Sequence, residues 1–106
     1  MYNNWYEAFP EIGLITDKVL QQKVIDTCEE ALVIGGWKLS DIDSLPFTLL
    51  IPDTMISYRT HVRTVTRMAL KVYEEWGVYG EKFKLDKDYL IAGALLHDVG
   101  KLIEYE

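Results

Sequence analysis

Residues 89–101 read Tyr-Leu-Ile-Ala-Gly-Ala-Leu-Leu-His-Asp-Val-Gly-Lys. Up to Leu96 this stretch is apolar on every side of a helical wheel, which predicts a buried helix. Asp86 suits its N-cap and Gly100 its stop, so the helix is expected from Lys87 to about Val99. His97-Asp98 interrupts it. An anion in the last helical turn faces the negative end of the macrodipole, at a cost of a few tenths to about 1 kcal/mol. Burial adds a desolvation cost unless the charge is paired or bound to a metal. A divalent cation offsets both, and His and Asp are suitable ligands for one. Gly93 lies one turn before His97, where a mid-helix glycine costs up to about 1 kcal/mol. Its expected use is a close approach by a second helix, either beside a functional His97 or for packing alone.

The second helix is read upstream. Tyr58, Val62, Val65, Ala69, Val72 and Trp76 recur by four and three, which draws one apolar stripe ended by Gly77. Arg59, Arg63, Arg67 and Lys71 recur by four on the opposite face, with no acid from Thr54 to Tyr73. The expected role of that cationic face is solvation and pairing with the acidic N-terminal region, rather than docking of an anion. His61 falls at the edge of the apolar stripe, near Val65, Met68 and Val72. It points to the interior or to a cleft rim, and by itself reads as a core-edge histidine.

A further helix is predicted from Asp17 to Ile34, capped by Thr16 and stopped by Gly35-Gly36. Before it, Tyr2, Trp5, Tyr6 and Phe9 form an aromatic arm, expected to be ordered but not helical. The arm is read as covering the bundle, with a homodimer contact as the alternative. Between the helices, Ser40 suits the cap of a short turn over 41–45. Phe47 to Ile51 is too short to assign, Pro52 favours a helical first turn, and 80–88 reads as a charged loop. No segment alternates over a strand length, so the class is all-α.

With 106 residues, the chain is one domain at most. Apolar residues at 49% and charged residues at 26% are ordinary globular proportions. A net charge of −6 disfavours nucleic acid and anionic membranes as partners. No run is long enough to span a bilayer, and Met1–Pro10 lacks the basic start of a secretory signal. Cys28 is alone, which suits a reducing, cytoplasmic setting, and it reads as a small core residue.

Ala94-Leu95-Leu96-His97-Asp98-Val99-Gly100-Lys101, with His61 thirty-six positions upstream on its own helix, resembles the HD-domain family of metal-dependent phosphohydrolases. The resemblance covers Thr54 to about Lys101. It implies an HD-domain-like helical bundle in which His61, His97 and Asp98 bind a divalent ion (Mn, Fe, Co, Ni, Zn or Mg). Asp98 bridges where two ions bind. Asp98 and Lys101 become the catalytic candidates, Lys101 by facing a substrate phosphate. The implied reaction is hydrolysis of a small, nucleotide-like phosphate ester by metal-activated water. The family's last aspartate lies well downstream of its His-Asp pair, and Glu104 and Glu106 stand too close to match it. The expectation is therefore a chain carrying the first part of an HD domain over 54–106, incomplete at the C-terminus, behind an N-terminal extension over 1–53 with one helix. Supply of the last ligand by another chain, and a non-catalytic HD-like binding or regulatory module, are the alternatives. Di-iron oxygen chemistry would need further histidines.

Overall fold

The computed structural model describes residues 2–77, 79 and 85–105. Five α-helices appear in it: α1 Trp5–Ala8, α2 Lys18–Gly35, α3 Tyr58–Trp76, α4 Lys87–Leu96 and α5 Lys101–Glu104. Two 3₁₀ turns, Pro10–Leu14 and Leu39–Asp43, connect them. No strand occurs among the described residues, where the one bridge joins Pro46 to Ser57. The all-α expectation holds.

The centre is α4, packed on α2 and α3 and on the Pro10–Leu14 turn. Ile91, Ala92, Ala94 and Leu95 are its buried side. Its opposite line, Tyr89, Gly93 and His97, is exposed, so the helix is not enclosed on all sides as its composition predicts. Gly93 makes no close approach. A Cβ built there meets nothing within 4 Å among the described residues, which overturns the packing expected of it. The close approach occurs at Gly35 instead. A Cβ there would run into the Leu102 carbonyl and lie 2.6 Å from Cδ1 of Trp37. This lets α5 lie against the end of α2, where Trp37 Nε1 donates to Leu102 O at 2.8 Å. Gly36 then turns the chain in the left-handed region, at φ 79°.

The aromatic arm is helical, contrary to expectation. Asn4 caps α1 by accepting from Glu7 N, and Pro10 opens the 3₁₀ turn with its fixed φ. Trp5 and Phe9 stack at 6.0 Å between centroids, and Phe9 meets Tyr58 edge-on at 6.5 Å. Both arm residues are buried in the same core as Val24, Leu32, Val62, Ile91 and Leu102. Gln21, also buried, donates to the carbonyls of Ile12 and Ile15, which fastens the turn to α2.

Three helix starts differ from the sequence reading. Asp17, not Thr16, caps α2, accepting from Val19 and Leu20 N. Thr16 is used elsewhere: its N–H and hydroxyl both donate to the Asp88 carboxylate on α4. The Leu39–Asp43 turn starts two residues earlier than the one Ser40 would cap, and Asp41 closes it by accepting from Lys38 N. Pro52 does not open α3, which Ser57 caps instead.

The buried line of α3 is Tyr58, Val62 and Thr66, with Leu70 packed beside it. Val72 and Trp76, placed in the core stripe by spacing, are 48% and 40% exposed. The line has turned because the Pro10–Leu14 and Leu39–Asp43 turns pack on the arginine side of α3. There Arg59 donates to Ala8 O and lies over the Tyr2 ring, while Arg63 pairs with buried Glu11. Arg59 and Arg63 thus pair with the N-terminal acids Asp43 and Glu11, as the charge pattern predicts, whereas Lys71 pairs with Glu74 and Glu75 of its own helix. Cys28 is buried, and that burial, helped by the Glu29 carboxylate, pushes its thiol up to about 12. Most of the charged loop read over 80–88 lies outside the described residues.

Candidate metal centre

His61 sits in the first turn of α3, because Ser57 starts the helix just before it. The Ser57 hydroxyl accepts from Thr60 N, and His61 N donates to Ser57 O at 3.0 Å. His97 follows the last residue of α4 as its C-cap. Asp98 therefore lies beyond the helix, in the turn joining α4 to α5, rather than in the last helical turn as expected. Val99 N donates to Leu96 O and Lys101 N to Asp98 O, which closes that turn. Val99 packs on the core and Leu102 is wholly buried, so the turn is held from both sides.

The outcome is a convergence of three donor atoms. His61 Nε2 lies 3.0 Å from Asp98 Oδ2, His97 Nε2 lies 3.2 Å from the same oxygen, and the two Nε2 atoms are 3.3 Å apart. Bonds of about 2.1 Å to one ion, at angles of about 90–105°, put adjacent donors roughly 3.0–3.3 Å apart. The three edges match that spacing. The side chains are 27%, 33% and 24% exposed, open enough for an ion and water to enter.

The tautomer of His97 also fits. Its Nδ1 is 2.6 Å from Ala94 O, and a carbonyl only accepts, so Nδ1 carries the proton. With the proton on Nδ1, Nε2 is the ring nitrogen left to serve as a ligand, and it faces the other two donors. Orientation of a ligand ring through its second nitrogen is the usual arrangement around bound metals. Asp98 also acts inward. Burial first, then the charges of Cys28 and Asp98, raises the Tyr58 hydroxyl above its ordinary range.

The family model described as HD domain matches residues 58–106. The match takes in 49 of the 106 residues, and over them the chain is similar to the HD-domain family. No curated protein and no solved structure matches the chain. The HD segment thus begins at the first residue of α3 and takes in α4, α5 and all three converging side chains.

Lys101, the fourth candidate, opens α5 next to this turn. Its Nζ stands 6.0 Å from the Tyr105 ring centroid, and among the described residues it makes no hydrogen bond or ion pair with the other three. Two neighbours of the HD site carry no local sequence signal. The Ala94 carbonyl holds His97, and Phe47, from the connection between α2 and α3, packs its ring 5.0 Å from that of His61.

Proposed function

We propose that this HD segment is the metal-binding part of a phosphohydrolase acting on a small, nucleotide-like phosphate ester. The observation that supports it is the approach of His61 Nε2, His97 Nε2 and Asp98 Oδ2 to within 3.0–3.3 Å of one another. These three residues would hold a divalent ion such as Mn, Fe, Co, Ni, Zn or Mg. A bound ion supplies Lewis acidity and brings the pKa of its water toward neutrality.

The residues of the chain have separate parts in this reading. His61 and His97 offer neutral nitrogens, and Asp98 offers the one negative charge of the set. Asp98 Oδ1 has no hydrogen-bond partner among the described residues, so it is available to a second ion or to an incoming water. Three protein donors leave coordination positions for water and substrate, as catalytic sites require. Lys101 would reach the phosphoryl oxygens by swinging its long side chain off Tyr105, where it makes only a weak ring contact. Phosphoryl transfer depends mainly on positioning and charge neutralisation, which this set provides without a Ser or Cys nucleophile.

A second reading is a non-catalytic HD-like module that binds a phosphorylated ligand through the same three side chains. One experiment separates the two. Titration calorimetry with Mn²⁺ and Zn²⁺ is followed by a panel of phosphate esters on the loaded protein. The hydrolase reading expects metal binding and turnover. His97→Ala and Asp98→Ala should each weaken binding at least tenfold, since each removes one of three donors. Binding without turnover supports the module. Metal retained at full affinity in both variants overturns the site itself.

A further inference from the structure

The two histidine rings are held in different ways. His97 is oriented by a hydrogen bond from Nδ1 to the Ala94 carbonyl. His61 Nδ1 has no hydrogen-bond partner among the described residues. Its ring nevertheless points Nε2 at Asp98 and His97. Apart from those Nε2 contacts, no hydrogen bond fixes the ring, so its remaining support is packing.

Phe47 is in place to do this. Its ring centroid lies 5.0 Å from that of His61, at an interplanar angle of 34°. That is within the range at which aromatic pairs gain energy beyond the area they bury. The phenyl ring is itself fixed to the start of α3. Phe47 N donates to Ile56 O, and Pro46 bridges Ser57, the residue that caps the helix. Tyr58 N also donates to Leu45 O at 2.7 Å. The backbone on both sides of Phe47 is therefore tied to the turn that carries His61. Beyond these ties the loop runs out into solvent, where Leu50 is 90% exposed and Met55 98%. A half-buried phenylalanine at the base of such a loop contributes little to the core, and its packing on the imidazole is its distinctive contact.

We infer that Phe47 is a positioning residue for His61, holding the imidazole so that Nε2 stays in the donor set. This rests on the metal-site reading given above. Phe47 does for His61 by ring packing what the Ala94 carbonyl does for His97 by hydrogen bonding. Residues that orient a metal ligand typically change metal affinity by about 10–100-fold when removed.

The test uses the full chain, Co²⁺ as the probe, and the fact that only two histidines need assignment. Co²⁺ affinity is read from its absorption spectrum. Phe47→Leu keeps the apolar volume but loses the ring, and should bind Co²⁺ about tenfold more weakly, with the thermal midpoint of the metal-free protein close to wild type. Phe47→Tyr keeps the ring and should bind like wild type. Leu50→Ala, on the exposed loop, is the control and should also bind like wild type. Independently, the imidazole proton resonances of His61 in the metal-free protein should show a ring-current shift. In Phe47→Leu that shift should vanish and the lines should broaden as the ring samples other rotamers. Wild-type Co²⁺ affinity in Phe47→Leu, with sharp His61 lines, overturns the positioning role and leaves the metal site standing. Failure of the wild-type protein to bind Co²⁺ overturns the metal reading instead, and the line shape of His61 then decides the role of Phe47 alone.

Discussion

Arg63 and Glu11 make an ion pair with unequal ends. Arg63 Nε lies 2.9 Å from Oε1 and 3.3 Å from Oε2, with the arginine side chain 30% exposed and the glutamate 6%. Removing either partner is therefore not symmetric. Arg63→Ala leaves a buried carboxylate with no cation, and breaking a buried pair in that way costs about 3 kcal/mol or more. Glu11→Gln leaves an arginine that reaches water, and a neutral amide that can still accept from it, so about 1 kcal/mol is expected. Urea denaturation of both variants checks this, and equal losses would contradict it. The sequence shows the arginine stripe and its preference for the acidic N-terminal region. It does not show which acid is chosen, because Glu11 meets Arg63 only after the Pro10–Leu14 turn has docked. His97-Asp98 is the opposite case. A charged pair ending an apolar helix is anomalous within its own neighbourhood, so its importance is readable locally. Phe47 has no such anomaly and is found only through the fold.

The elements were legible by periodicity and less so at their ends. Helix α2 needs only the spacing of Val24, Cys28, Ala31 and Leu32 and the two glycines that stop it. Its cap went to Asp17 because Thr16 is engaged by α4, a contact that joins residues 72 positions apart. The Asp88 carboxylate accepts from Thr16 N at 2.9 Å, Thr16 Oγ1 at 2.8 Å and Asp17 N at 2.9 Å. These bonds, led by the Thr16 N–H, hold the carboxyl below its ordinary value of 3.8. A depressed folded-state pKa adds stability that is fully present above the unfolded value and is lost as pH falls through the folded one. Unfolding free energy should therefore decline below about pH 4, partly through Asp88. Asp88→Asn has one acceptor oxygen where the carboxylate uses two. The variant should be less stable at neutral pH and should show a shallower decline in acid. Thermal melts across this range decide it, and parallel curves for variant and wild type would remove Asp88 from the account.

At the scale of the molecule, the HD segment does not have a core of its own. Trp5, Phe9, Ile12 and Ile15 from the first residues share one cluster with Tyr58, Val62, Ile91 and Leu102. Arg59 and Arg63 tie α3 to Ala8 and Glu11, and Asp88 ties α4 to Thr16 and Asp17. The division at residue 53 follows a resemblance confined to one half of the chain, and the sequence alone gives no view of packing across it. Such packing predicts one cooperative unit. Trp5 and Trp37 report from the first half and Trp76 from α3. Tryptophan fluorescence, far-UV circular dichroism and the Co²⁺ spectrum should therefore give superimposable urea transitions, as two-state unfolding requires. Phe9→Ala makes the point more sharply. Phe9 is 1% exposed and touches Trp5 and Tyr58, so truncation should cost about 3–4 kcal/mol. That loss should move all three transitions to lower urea by the same amount, although Phe9 lies outside the HD segment. A shift seen by Trp5 and Trp37 but absent from the Co²⁺ spectrum would mean that the metal centre is carried by an independently stable half.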